Sequence, residues 1–424
     1  MWYYEALMTS LLSSANEIIV YVILFTFLYY EVFFLVSFFE KRKALNRDNP
    51  LPNKLPTVTI IVPCFNEEKT IQRTVESLLA LDYPMELLSI YLIDDGSVDS
   101  TPEVMKQYAN GYPNIKVWKK KNGGKWRALN YGIERSSSEL IGCLDADSFV
   151  EKNALKEIVK YFATHRDVMA VTPSMRIWEP NNLIRMIQNA EYDFGIFMRK
   201  VMAFLGAIHV TPGPFSIFKR KVFEKLGPYK HAHNTEDLEM ALRMQKAGMK
   251  IENANKAIVY TVGPDTAYKL YRQRIRWTGG FMQNLVDYRA MILSKKHNHL
   301  GLFILPMTVI TVLATLYFVA GFIWSSTKGV YQTFENIQSV GFIWPKLNFD
   351  LSLFYIDTNT VSVLSLALLT STVLCIIIGR MISNNKKVLS LDILYFVFLY
   401  GLIAPFWLIK SVYNTLASKE AKWR

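Results

Sequence analysis

Residues 140–148 read Leu-Ile-Gly-Cys-Leu-Asp-Ala-Asp-Ser, an apolar run of strand length that ends in two carboxylates one residue apart. In an open α/β sheet, ligands bind just beyond the carboxyl ends of strands. Strand alternation sends Asp145 and Asp147 to one side, with Ala146 opposite. Two carboxylates so placed repel each other unless something positive sits between them. A divalent cation carrying a phosphorylated ligand fits that position, because hard cations take carboxylate and phosphate oxygens. An isolated Asp-x-Asp is also what an acidic turn after a strand looks like, so the rest of the chain decides.

Three more polar clusters bear on the choice. Asp94-Asp95-Gly96-Ser97 ends a second apolar run, Thr235-Glu236-Asp237 stands at a helix start, and Gln273-Arg274-Ile275-Arg276-Trp277 lies within a long helical pattern. Each has a plain structural explanation: a common turn, an N-cap with acidic first-turn residues, and a solvated helix face. Together, in this order and at these separations, they point to one site.

The elements that must position them alternate. Residues 57–63 are a β-branched strand, and Asn66-Glu67-Glu68 opens a helix to about residue 81. Strands at 88–93 and 115–118 follow. Lys119-Lys120-Lys121-Asn122-Gly123-Gly124-Lys125 then leads into a helix over 126–134. A helix at 151–163, a strand at 168–172, a long helical pattern at 183–205, a turn and strand within 210–219, a helix at 236–247, a strand at 258–261 and an amphipathic helix at 268–293 complete the middle of the chain. Alternation of strand and helix predicts a mostly parallel sheet. The 183–205 helix, with Arg185, Arg199 and Lys200 among large apolar residues, reads as core or as a membrane-surface helix.

Of the 424 residues, 51% are hydrophobic and 20% charged, and the apolar excess is concentrated at the two ends. Residues 18–39 are long enough to cross a bilayer and read as a retained span rather than a cleaved signal. Lys41, Arg42, Lys43 and Arg47 follow, so the next domain is expected in the cytoplasm. Glu31, inside this span, should face protein or a water-filled path. Residues 301–324 and 361–379 are further spans, with 325–360 an external loop and Arg380, Lys386 and Lys387 a cytoplasmic turn. Residues 389–412, interrupted by Gly401 and Pro405, read either as a crossing or as a re-entrant pair of half-helices, and the basic tail favours the second. The net charge of +12 suits anionic lipid headgroups. No basic helix or nucleic-acid module is present, so no nucleic-acid partner is expected. Cys64, Cys143 and Cys375 lack metal-ligand spacing and read as reduced core residues.

The order of motifs resembles processive, membrane-embedded family 2 glycosyltransferases, the group that includes hyaluronan, cellulose, chitin and poly-N-acetylglucosamine synthases. Val-Pro-Cys-Phe-Asn-Glu-Glu, Asp-Asp-Gly-Ser, Asn-Gly-Gly-Lys-Trp-Arg-Ala-Leu-Asn, Leu-Asp-Ala-Asp, Thr-Glu-Asp and Gln-Arg-Ile-Arg-Trp carry the likeness over residues 57–277. Chain length and the order of spans look closest to bacterial poly-β-N-acetylglucosamine synthases. The segment from Pro212 to Arg220 resembles their Ser-Gly-x-Phe-x-x-Phe stretch, with Pro212 where a small residue is usual. Lys422-Trp423-Arg424 resembles the start of a gating segment that folds over the nucleotide in relatives.

The resemblance implies an α/β GT-A (nucleotide-diphospho-sugar transferase) domain inserted between transmembrane helices. The expected divisions are 1–48 (span and basic flank), 49–263 (cytosolic catalytic domain), 264–300 (interface helix), 301–413 (C-terminal membrane region) and 414–424 (tail). It implies an inverting, metal-dependent hexosyltransferase of the plasma membrane that polymerises a UDP-sugar, with UDP-N-acetylglucosamine favoured. The product would be a β-linked glycan passed outward through the protein's own pore, with accessory export subunits as further partners. The alternative is a non-processive transferase acting on a membrane lipid. By the same resemblance Pro63, Asp94, Asp95, Lys125, Asp145, Gln273 and Arg276 hold the donor nucleotide, and Asp147 holds Mg²⁺ or Mn²⁺. Asp237 is the general base with Glu236 beside it, and Trp277 and Thr235 meet the acceptor. Elementary chemistry agrees in kind: a carboxylate accepts the imide N–H of uracil, guanidinium groups pair with phosphate oxygens, and an indole face takes a sugar ring.

Overall fold

The computed structural model describes residues 2–46, 49–342, 359–385 and 387–417. Arg47, Lys386, residues 343–358 of the expected 325–360 loop and the Lys422-Trp423-Arg424 segment lie outside the described residues. By their internal contacts the residues fall into two units, 1–35 with 307–373 and 36–306 with 374–424.

The chain opens on helix α1 (Trp2–Lys41). Strand β1 (Val58–Cys64) follows, then α2 (Ile71–Leu79), β2 (Leu88–Asp94), α3 (Thr101–Gly111), β3 (Ile115–Lys119) and α4 (Lys125–Arg135). Next come β4 (Leu140–Cys143), β5 (Ser148–Val150), α5 (Ala154–Thr164), β6 (Val168–Ile177) and α6 (Leu183–Phe204). Then come β7 (Ile217–Lys219), α7 (Arg220–Leu226), α8 (Glu236–Lys246), β8 (Lys250–Thr261) and α9 (Ala267–Asp287). Helices α10 (Leu305–Val340), α11 (Thr360–Ile382), α12 (Leu391–Tyr395) and α13 (Gly401–Leu416) end the described chain, with a π-helical turn at Phe396–Tyr400 between the last two.

The strands form one eight-stranded sheet in the order β3-β2-β1-β4-β7-β6-β8-β5. It is mixed but mostly parallel, as expected: four of its seven strand pairings are parallel, the β6–β8 pair among them. β3, β2, β1 and β4 run parallel, but β7 is antiparallel to both β4 and β6, and β5 is antiparallel to β8. The parallel part is apolar on both faces, and Val58, Ile60, Val62, Ile90 and Leu92 are fully buried beneath the helices, as expected of strands joined by helical crossovers. The antiparallel part was hidden because β5 and β7 have only three residues each, too few to show a period.

Other local expectations shift as well. Asn66-Glu67-Glu68 does not open a helix. Asn66 takes a left-handed φ of 57°, which asparagine tolerates, and the segment knits to the next loop. Asn66 N–H donates to Ser97 Oγ at 3.0 Å, Glu67 N–H to Thr101 Oγ1 at 2.8 Å, and Ser100 N–H to Glu68 Oε2 at 3.1 Å. Residues 325–340 are not loop, since α10 continues through them to Val340 and ends at Gly341, whose φ is +81°. Residues 389–412 are not two half-helices, since 391–416 form a continuous helical run. Pro405 removes one N–H from the i→i−4 ladder, and the π turn just before Gly401 takes up the register change. Ser411 of α13 donates to the Ile275 carbonyl of α9 at 3.4 Å, so the run is braced along α9.

Among the described residues, four helices are long and apolar enough to cross a membrane: Ala15–Leu45, Leu300–Val340, Thr360–Ile382 and Leu391–Leu416. Within the first unit, Glu31 of α1 accepts hydrogen bonds from Ser371 and from Thr372 (2.8 Å) of α11. The acid inside the span is thus held by protein, one of the two environments expected for it.

In the second unit the C-terminal end of α11 docks on α6. Gly379 makes this possible, because a Cβ there would lie 2.0 Å from the Asp193 carbonyl oxygen. Beside it Arg380, fully buried, bonds Asp193 Oδ2 through Nε at 2.7 Å and Asp392 Oδ2 through Nη2 at 2.6 Å. Removing one partner of such a group strands the others in low dielectric. Arg380→Ala should therefore cost on the order of 3–5 kcal/mol, read as a large loss of thermal stability. An unchanged melting temperature would contradict this account of the clamp.

Candidate active site

β1, β2 and β4 end side by side, where the sheet order passes from β2-β1 to β4. Such a reversal of strand order leaves a crevice at the carboxyl ends. The cavity there has a volume of about 910 Å³. Pro63 at the end of β1, Asp95 after β2, and Asp145 and Asp147 after β4 all line it.

The paired acids after β2 separate. Asp94 is fully buried and turned into its own loop, where Oδ1 accepts the Ser97 N–H at 2.8 Å. It is not among the residues lining the cavity. Asp95 is, and its carboxylate gathers the basic Gly-rich loop. It accepts from Gly123 N–H at 3.1 Å, from Gly124 N–H at 2.8 Å and from Lys120 Nζ. Gly124 has φ +91°, a conformation glycine reaches without strain, and it turns the chain into α4.

Asp145 and Asp147 reach the cavity by a turn rather than by alternation. β4 ends at Cys143, and the Ser148 N–H bonds back to the Asp145 carbonyl at 3.0 Å. Ala146 lines the cavity with them, so the period-2 expectation fails where the strand stops. Lys125, the first residue of α4, places Nζ 2.5 Å from Asp145 Oδ1 and 3.5 Å from Glu236 Oε1. Burial works against its charge, but Asp145 and Glu236 outweigh burial and raise its pKa. Gly213 allows the approach of the loop opposite, since a Cβ there would lie 2.5 Å from Lys125 Nζ.

Asp237 lies in the first turn of α8. Its Oδ2 accepts the Gly213 N–H at 3.3 Å and its Oδ1 the Leu238 N–H at 2.9 Å. Burial, and next the charge of Glu236, push its carboxyl up to about 6. Asp147 is also pushed up to about 6, by burial and then by Asp145 and Glu67. Both are half-buried acids whose pKa is raised, a perturbation found at sites that exchange protons or bind cations.

Helix α9 supplies the opposite wall with Gln273, Arg274, Arg276 and Trp277. Arg276 faces the acids: burial lowers its pKa, against the pull of Glu236, Asp237, Asp145 and Asp147. Arg274 turns the other way. Its Nη2 bonds Glu191 Oε2 of α6 at 2.5 Å, and its guanidinium lies 4.4 Å from the centre of the Trp277 ring. One face of that indole is therefore already covered by a cation. The Gln273 Oε1 is buried with no hydrogen-bond partner. Thr235 lines the cavity, but its hydroxyl is committed, donating to the Ala232 carbonyl at 3.0 Å and accepting from Asn284 at 2.9 Å.

Several lining residues were not singled out from sequence. Trp126 follows Lys125 in the quoted motif and could have been found there. Glu191 and Tyr192 sit on α6 with Arg199, which is half-buried and lines the cavity. Tyr400 and Trp407 come from the last apolar run, and Tyr400 O–H donates to Glu191 Oε1 at 3.0 Å. No local pattern marks these, because only tertiary packing brings that run to the cavity. Cys64 and Cys143 are buried free thiols, and Cys375 is buried as well.

Asp145 and Asp147 fit a hard divalent cation. Among the described residues no group of three or more His, Cys, Asp or Glu could hold a metal ion unaided. Mg²⁺-type sites often take one or two carboxylates and complete the shell with phosphate and water, and the mutual repulsion raising Asp147 is what a cation would relieve.

Residues 59–227 match the family model described as Glycosyl transferase family 2. The chain is 27% identical over 403 residues to a poly-beta-1,6-N-acetyl-D-glucosamine synthase of Staphylococcus epidermidis, covering 94% of this chain and 92% of that one. It is 30% identical over 260 residues to the protein of the same description from Staphylococcus aureus strain COL, covering 61% and 63% of the two chains. Among solved structures it is similar to the mannosyltransferase PcManGT of Pyrobaculum calidifontis, determined with GDP-Man and Mn²⁺. The TM-score is 0.59 at 18% identity, over 95% of this chain and 100% of that one.

Proposed function

We propose, from the premise that residues 59–227 form a family 2 glycosyltransferase domain of GT-A fold, that this protein polymerises N-acetylglucosamine from UDP-N-acetylglucosamine into a β-linked glycan. The sugar is taken from the description of the Staphylococcus relatives, whose similarity to this chain is spread over most of its length. The observation that carries the reading is convergence. Asp145, Asp147, Asp237, Arg276 and Trp277 come from three separated segments and line one cavity.

In this reading the uracil lies at the Pro63–Asp95 end, and the diphosphate lies between the Asp145–Asp147 pair and Lys125 and Arg276. A Mg²⁺ or Mn²⁺ ion on Asp147, shared with Asp145, would offset charge on the departing diphosphate. The acceptor sugar stacks on Trp277 with Tyr400 and Trp407 beyond it, so that its hydroxyl points toward Asp237. Asp237 takes the hydroxyl proton as the oxygen forms its bond to the anomeric carbon, and the bond from that carbon to the diphosphate breaks, releasing UDP. A single displacement of this kind inverts an α-linked donor to a β-linked product. Because the last apolar run contributes Tyr400 and Trp407 to the cavity wall, the growing end starts beside that run, which supports export through the protein itself.

Purified protein in detergent, given Mg²⁺ or Mn²⁺ and labelled UDP-sugars, should incorporate N-acetylglucosamine into high-molecular-weight material. UDP-glucose and UDP-glucuronate should be poor donors. A product consisting only of single sugars on lipid would overturn the polymerase reading.

A further inference from the structure

Helix α9 holds a second grip on the site, two turns beyond Trp277. Immediately before Thr235-Glu236-Asp237 the backbone makes a left-handed turn: Ala232, His233 and Asn234 have φ of 45°, 54° and 61°. No glycine relieves it; asparagine tolerates the conformation at Asn234, but at Ala232 and His233 it costs roughly 1–2 kcal/mol each. Such strain persists only where the surroundings over-determine it. Here the surroundings are one face of α9. Asn284, fully buried, points Nδ2 at the Ala232 carbonyl (3.2 Å), at Thr235 Oγ1 (2.9 Å) and at the Gly280 carbonyl (2.9 Å). His233 Nε2 meets Asp287 Oδ2 at 3.0 Å. At Gly280 a Cβ would lie 2.5 Å from Thr235 Cγ2 and 3.0 Å from the His233 carbonyl oxygen. The turn therefore sits directly against the helix backbone.

We propose that Asn284 and Gly280 are positioning residues that fix Asp237 relative to Trp277, so that α9 acts as a ruler between the base and the acceptor. The inference rests on the glycosyltransferase reading and on Asp237 as base. One rigid helix carries the acceptor platform and, seven residues on, the amide that pins the turn leading into Asp237. The hydroxyl of Thr235 belongs to this grip, which explains why it is turned toward Asn284 and the Ala232 carbonyl. A displacement of about 1 Å at a reacting group can cost on the order of a hundredfold in rate, so a strained turn pinned by a buried amide has a use beyond stability.

The test compares Asn284→Ala, Asn284→Asp and Gly280→Ala with the parent full-length protein. UDP-binding stoichiometry gives the number of competent sites, and kcat is expressed per competent site. In the variants that bind UDP, kcat per site should fall on the order of 10- to 100-fold, with the KM for UDP-sugar within about twofold. Parental kcat per site in those variants overturns the proposal. So does loss of UDP binding in proportion to lost turnover in all three, because the residues would then serve only the fold. Asp237→Asn run in parallel separates the two levels. If it keeps turning over, the base assignment fails; if it is inactive while the Asn284 and Gly280 variants work normally, only the ruler fails.

Discussion

Asp237→Asn should bind UDP like the parent protein and transfer almost no sugar. The substitution keeps the shape of the side chain but removes the group that accepts the hydroxyl proton. General-base contributions are typically 10²–10⁴-fold, and a loss in that range on kcat is expected. The same carboxyl predicts the pH profile. Its pKa is pushed up to about 6. Below that pH the group carries a proton and cannot take another, so kcat should fall as pH drops through about 6, roughly tenfold per unit at the foot. Because the base must be ionised, the loss is on the acid side. Near-parental turnover in Asp237→Asn would remove Asp237 from this role, and a flat profile from pH 8 to 5 would argue the same way.

The second large effect concerns Asp147. Its pKa, raised by burial and by Asp145 and Glu67, marks a carboxylate pair that a cation would stabilise. Asp147→Asn removes one hard ligand. A cation at a leaving phosphate contributes several kcal/mol; losing about 3 kcal/mol would slow turnover about a hundredfold. Mn²⁺ bound in the presence of UDP, followed by its electron paramagnetic resonance, should be much weaker in Asp147→Asn, and chelator should stop turnover of the parent reversibly. Unchanged Mn²⁺ affinity would place the cation elsewhere. Lys125 is part of this balance, because its Nζ lies 2.5 Å from Asp145 Oδ1, where it would meet an incoming cation.

What could be read from the chain follows physical lines. Long β-branched or apolar runs such as 58–64 and 88–94 announce themselves, since burial on both faces leaves an unbroken hydrophobic signature. The motif acids Asp145, Asp147 and Asp237, with Arg276 and Trp277, were nameable because their residue types lie at fixed offsets from such runs. The structure brings these five together and leaves Asp94 in its loop. Elements fixed by distant partners were not legible. β5 exists because it pairs with β8, more than a hundred residues on. Helix α3 is not among the elements expected from sequence, although Thr101-Pro102 is a good helix opening. Pro405 suggested a break, but packing along α9 overrides that local preference. Glu191, Tyr400 and Trp407 reach the site only through helix-on-helix packing, which no window of sequence reports.

A cryo-electron microscopy map of the detergent-purified protein with UDP and Mn²⁺ probes the shared cavity most directly. Density for the diphosphate between Asp147 and Arg276, with the uracil toward Pro63 and Asp95 and open space before Trp277, is the predicted result. Nucleotide bound anywhere else, with Asp147 and Arg276 untouched, would contradict it.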